Sequence, residues 1–150
     1  MEIHLASSNA SITKLLVDID YPYIRMESCF CLCTSTPEPF DNYELYFIRW
    51  NDALHKNNPQ RTISINDIAS IIILHEKAIK GWYTEPAARK LGLGMTLLQH
   101  VITKRKGTLT ITIPYSIYPY YESVYAIRLL YKCGFKLVFE DKGEIRLVRE

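Results

Sequence analysis

Apolar residues along this chain fall into short runs divided by polar, glycine- or proline-bearing breaks, and the spacing inside each run predicts its element. Glu2–Ala6 reads as a first strand. Ser7-Ser8-Asn9 offers caps for a helix of about ten residues, with Ile12, Leu15, Leu16 and Ile19 on its apolar side. Tyr21-Pro22 ends it, because the residue before proline avoids helical dihedrals. Ile24–Thr34 predicts a strand and Thr34–Pro39 a polar connection. The spacing of Leu45, Ile48, Trp50 and Leu54 predicts a second helix from Asp41 to His55, closed by Asn57-Asn58-Pro59. Thr62–Ile65 and Ile68–His75 read as strands around an Asn66-Asp67 turn, and Ile79–Thr84 as the next. Leu97, Leu98, Val101 and Ile102 return to helical spacing as far as about Arg105, where Lys106-Gly107 is a stop signal. Leu109–Ile113 alternates with threonine and ends at Pro114; a helix over Tyr120–Lys132 stops at Gly134. Lys136–Phe139 and Glu144–Val148, joined through Asp141-Lys142-Gly143, form a closing hairpin.

One stretch carries more than periodicity. Gly92 and Gly94 stand between a strand and a helix, just where the helix begins. Glycine inside a helix costs about 0.5–1 kcal/mol relative to alanine, so two in one turn point to a demand beyond packing, such as a ligand approaching the backbone. The N–H groups of a first helical turn attract an anion, which the helix dipole also favours. Arg89 and Lys90 add two cations at the same mouth, and the set reads as a diphosphate cradle. The pattern lacks the third glycine of a dinucleotide fingerprint and the Gly-Lys-Ser/Thr of a Walker loop. A loop whose glycines serve only a tight turn is the competing reading.

Arg89-x-x-Gly92-x-Gly94, preceded by Pro86 and followed by Leu97-Leu98, resembles the acetyl-CoA signature of the GNAT superfamily of N-acetyltransferases, with Thr84 where a valine usually stands. Ala126–Phe135 is similar to the helix ending in Gly-Phe that follows the fifth strand of those enzymes. The resemblance implies an α/β (α+β) fold: one mixed, mostly antiparallel central sheet flanked by helices and splayed between the fourth and fifth family strands, as a single domain over residues 1–150. It also implies acetyl-CoA as co-substrate, and no metal. The pantetheine would pair with main-chain atoms around Tyr83 and Thr84. The pyrophosphate would lie on the N–H groups of Lys90, Leu91, Gly92, Leu93, Gly94 and Met95, beside Arg89, with Thr96 in reach. Ser123 stands where relatives often carry a cofactor-contacting asparagine. Many relatives place a tyrosine acid four residues before the Gly-Phe glycine; Leu130 occupies that position and Tyr131 follows it. No residue is singled out as general base. The expected partner is an amine, either a small molecule or a protein amino group; a non-catalytic CoA-binding or interaction module on the same fold is the alternative.

Composition narrows the rest. A net charge of +2 makes no electrostatic case for nucleic acid. No apolar run reaches the roughly 18 residues of a membrane span. Met1-Glu2-Ile3-His4 lacks the basic start and apolar core of a signal peptide, which predicts a cytoplasmic protein. Cys29, Cys31 and Cys33 alternate and read as small buried hydrophobes on a strand. Five tyrosines between Tyr115 and Tyr125 line either an acceptor pocket or a packing surface, against the sheet edge or the partner of a homodimer.

Overall fold

The structure, a computed structural model, describes residues 2–18, 42–50, 68–84, 88, 91–114, 120–141 and 143–150. In chain order the elements are β1 (His4–Ala6), α1 (Asn9–Asp18), β2 (Tyr43–Arg49), β3 (Ile68–His75), β4 (Ala78–Thr84), α2 (Leu93–Lys104), β5 (Leu109–Pro114), α3 (Tyr120–Lys132), β6 (Lys136–Glu140) and β7 (Glu144–Arg149). The strands form one seven-stranded sheet in the order β1-β2-β3-β4-β5-β7-β6. Every neighbouring pair is antiparallel except β4 and β5, which are parallel.

Part of the expected helix over Asp41–His55 forms a strand instead, while Trp50 is helical and residues 51–55 lie outside the described residues. Tyr43–Arg49 is a strand, paired with β1 on one side and β3 on the other. Its side chains alternate between two cores: Leu45 and Phe47 join one apolar cluster, Tyr46 and Ile48 the other. A strand buried on both faces shows no polar alternation, so the Leu45/Ile48 spacing imitates a helix. The expected strands at Thr62–Ile65 and Ile24–Thr34, with the cysteine row, lie outside the described residues.

The same division runs through β3, where Ile71 and Ile73 face α1 while Ile72 and Leu74 face α2. Helix α1 starts with a reciprocal cap: the Ser11 N–H donates to Ser8 Oγ at 3.1 Å, and the Ser8 N–H donates to Ser11 Oγ at 3.1 Å. This is a capping box with serine in the place of the usual glutamate. Helix α2 inserts Leu93, Leu97, Leu98 and Val101 into the larger cluster. Among the described residues, no helix is long and apolar enough to cross a membrane.

At the sheet edge, β6 exposes Leu137, Val138 and Phe139. It also carries a register shift between Leu137 and Phe139, and Lys136 and Glu140 flank the apolar residues. Bulges and charges of this kind discourage a second strand from adding to an edge.

Helix α3 ends in a Schellman pattern. Phe135 N–H donates to the Leu130 carbonyl and Gly134 N–H to the Tyr131 carbonyl, both at 3.1 Å. Gly134 takes φ 90°, and the Arg149 Nε–H caps the Cys133 carbonyl at 2.9 Å. A side chain at a left-handed position costs about 1–2 kcal/mol. Gly134→Ala is therefore expected to lower stability by that amount in urea unfolding, and Gly134→Asn by less.

Candidate functional site

β4 and β5 are joined by only two register pairs, Ala78 with Thr110 and Ile79 with Ile111. Immediately beyond, β4 carries a bulge. Leu74 pairs with Ile79 and Ile73 with Gly81, which leaves Lys80 as the extra residue. A bulge bends its strand and increases the local twist. From there Gly81–Thr84 pairs on β3 and Thr112–Pro114 on β7, so the two strands part toward their C-terminal ends. The result is a cleft in the middle of an otherwise continuous sheet.

The first turn of α2 stands at the C-terminal end of β4, beside this cleft. Gly92 is its N-cap, with φ 73° and ψ 19°, and no side chain caps the helix. The Gly92 carbonyl accepts both the Thr96 N–H at 3.1 Å and the Thr96 hydroxyl at 3.0 Å. The N–H groups of Leu93, Gly94 and Met95 precede this first intrahelical bond and point out of the helix end. The Thr96 proton is directed back along the helix.

Both glycines meet local requirements. Gly92 adopts a left-handed conformation. Gly94 presses on β4: a Cβ there would lie 3.1 Å from Thr84 Oγ1 and 3.4 Å from Trp82 Nε1. The Trp82 indole N–H donates to the Gly94 carbonyl at 3.1 Å, which ties helix to strand. Around Gly92, by contrast, a Cβ would meet no atom within 4 Å.

Of the other residues read from the sequence, Tyr83 is buried and Leu91 exposed. The Tyr83 carbonyl accepts the Ser70 hydroxyl at 3.2 Å. Met95 lies against Cys133, sulfur to sulfur at 3.4 Å. Arg89, Lys90, Tyr115–Pro119 and the side chain of Ser123 lie outside the described residues. Leu130 is wholly buried and Tyr131 is 49% exposed on the same unbroken helix, so the two sit on different faces. His75 stacks on the Tyr43 ring at 4.3 Å and His100 meets the Tyr46 ring edge-on at 5.4 Å, so both rings pack against tyrosine. Among the described residues, His, Cys, Asp and Glu form no group of three that could hold a metal ion.

Sequence reasoning missed a polar groove of about 650 Å³ at the other end of α2, lined by Tyr43, Glu44, Glu76, Lys77 and Arg105 among others. Arg105 forms an ion pair with Glu44 there, and the Tyr46 hydroxyl donates to the same carboxylate at 3.4 Å. Burial, then the nearby Glu44 charge, pushes the Tyr46 phenol upward from its usual range. Glu44 and Arg105 are 61 positions apart, so their pairing leaves no local signal in the sequence.

No family model and no curated protein sequence matches the chain. Solved structures do. A protein assigned as a phosphinothricin N-acetyltransferase superposes with a TM-score of 0.59 at 15% identity, covering 99% of this chain and 98% of its own. An acetyltransferase assigned to the GNAT family in Bacteroides thetaiotaomicron gives 0.56 at 14%, over 97% and 86%. A Bacillus subtilis acetyltransferase in complex with CoA gives 0.50 at 16%, over 99% and 97%. The chain therefore has the GNAT acetyltransferase fold.

Proposed function

We propose that this protein is an acyl-CoA-dependent N-acyltransferase that moves acetyl from acetyl-CoA to a primary amine. The observation that carries this reading is the cleft between β4 and β5, with the first turn of α2 at its mouth. The cleft suits a narrow, amide-bearing chain such as pantetheine, and the helix end suits a diphosphate.

The strand backbone supports a specific pairing. Within a strand, the N–H and C=O of one residue point to one side and those of its neighbours to the other. The Ser70 hydroxyl on β3 reaches the Tyr83 carbonyl, which places that residue's main-chain groups on the β3 side. Trp82 and Thr84 then turn theirs toward the cleft. This favours Trp82 and Thr84, rather than Tyr83, as the main-chain partners of pantetheine. Leu91, Gly92, Leu93, Gly94 and Met95 supply the diphosphate cradle, Arg89 and Lys90 its positive charge, and Ser123 a further contact.

Acetyl-CoA supplies a thioester whose acyl carbon a neutral amine can attack. The C–N bond forms as the C–S bond breaks, and the amine's proton leaves through a base or water. The chain's part is to align the two reactants and to place a donor near the carbonyl oxygen as charge gathers on it. The bulge at Lys80 leaves one residue out of the regular β3 ladder where the strands separate, so a main-chain N–H at Lys80 or Gly81 is the natural donor. The acceptor is a small amine or a protein amino group, and the protein acts in the cytoplasm.

Leu130 favours a second reading, a CoA-binding module without turnover. A phenol must come within about 3 Å of the leaving sulfur, directly or through one water, to protonate it. The position of the family's acid holds a buried leucine instead.

Acetyl-CoA is expected to raise the melting temperature by mass action, by about 2.7 kcal/mol of added stability at one hundred times its Kd. Arg89→Glu should weaken that binding, and the difference should shrink as salt rises. The absence of any shift at millimolar acetyl-CoA would remove the cofactor assignment.

Release of free CoA in the presence of an amine panel separates the two readings. In that assay Tyr131→Phe should keep most of the turnover, because one residue's rotation of about 100° on the helix carries the phenol away from the Leu130 face. A hundredfold fall with acetyl-CoA affinity unchanged would instead make Tyr131 the acid.

A further inference from the structure

Among the described residues, Ser70 is the polar side chain buried within the core, at 0% exposure. It lies on β3 directly opposite Thr84, the last residue of β4. Its hydroxyl is 3.2 Å from the Tyr83 carbonyl and 2.8 Å from Thr84 Oγ1. Each hydroxyl has one proton to give. Ser70 gives its own to the carbonyl, so Thr84 gives its proton to Ser70, and the two form a directed chain from Thr84 to Ser70 to Tyr83.

Thr84 Oγ1 is also the atom that a Cβ at Gly94 would approach to 3.1 Å. Two positions back on β4, the Trp82 indole holds the Gly94 carbonyl. The first turn of α2 therefore rests on Thr84 and is tethered by Trp82, while Ser70 sets the rotamer of Thr84 from beneath. We infer that Ser70 is a positioning residue for the cofactor: acting through Thr84, it fixes the spacing between the helix end that takes the diphosphate and the β4 edge that takes the pantetheine. This rests on the CoA reading above. Ser70 itself lies behind β4, on the strand away from the cleft, and touches neither reactant.

The geometry makes a quantitative demand. Losing the Ser70 hydroxyl removes one restraint on the Thr84 rotamer beside Gly94 and should cost about one net hydrogen bond, felt when the ligand spans both halves of its site. The experiment is calorimetric titration with CoA of the wild type, Ser70→Ala, Thr84→Val and the double variant, with kcat, KM for acetyl-CoA and melting temperature measured alongside. Ser70→Ala is expected to weaken CoA by about three- to tenfold and to raise KM in step, with kcat held within about twofold and the protein folded. Because both hydroxyls act as one pair, the double variant should bind no worse than the weaker single variant.

Wild-type affinity in Ser70→Ala overturns the inference. So does a double variant whose losses multiply, or a loss of kcat and melting temperature with no separate change in KM, the mark of a merely structural role. A wild-type protein that takes no CoA removes the functional reading itself and this inference with it, a result distinct from the others.

Discussion

The parting of β4 from β5 is the constraint on which the remaining structure depends. A parallel pair gains stability with each added rung, yet this one stops after two. The missing rungs are made up elsewhere, since each strand is paired along its outer side, β4 with β3 on either side of the Lys80 bulge and β5 with β7. The sheet thus has two halves joined by a short seam. Apolar packing holds them together: Ile79 from one half shares a cluster with Leu109, Ile111, Ile113 and Leu147 from the other, beneath Leu97, Leu98 and Val101 of α2. Each such side chain is worth about 1.5–3 kcal/mol when fully buried. The cleft can stay open because the core beneath it is continuous.

Helix α2 then has to be placed accurately over that seam, and apolar packing alone is poorly suited to fix a helix along its axis. Directional bonds at both ends supply the restraint. At the N-terminus the Trp82 indole holds the Gly94 carbonyl. Just past the C-terminus Arg105 is paired with Glu44 on β2, where a cation is also favoured by the helix dipole. Two polar contacts, one on each side of the core, set the register that leucines by themselves would leave loose.

Much of this was legible in the residues. The runs Ile68–His75 and Ile79–Thr84, the alternation of Leu109–Ile113 and the leucine spacing after Gly94 gave strands and a helix close to those observed. Gly134 was readable as a cap because no other residue accepts its backbone conformation cheaply. Tyr43–Arg49 was not, although Tyr43, Tyr46, Phe47 and Ile48 are the aromatic and β-branched types that favour a strand. Burial on both faces removed the polar alternation that would have outweighed the helical spacing. The Ser70–Thr84 pair was invisible for a different reason: it joins residues 14 apart through strand register, which no local pattern encodes.

The two glycines of the motif meet different local requirements. Gly94 faces inward, and the space a side chain would need is already held by Thr84 and Trp82. Gly92 faces open space at the mouth of the helix, and its left-handed backbone is what turns the chain into α2. One glycine lets the helix sit close to β4; the other lets the chain enter the helix with its first N–H groups uncovered. A substitution at either position disturbs the start of α2, but by opposite routes, from beneath at Gly94 and at the entrance at Gly92. The spacing Gly-x-Gly is therefore the trace of two separate requirements that meet at a single helix end.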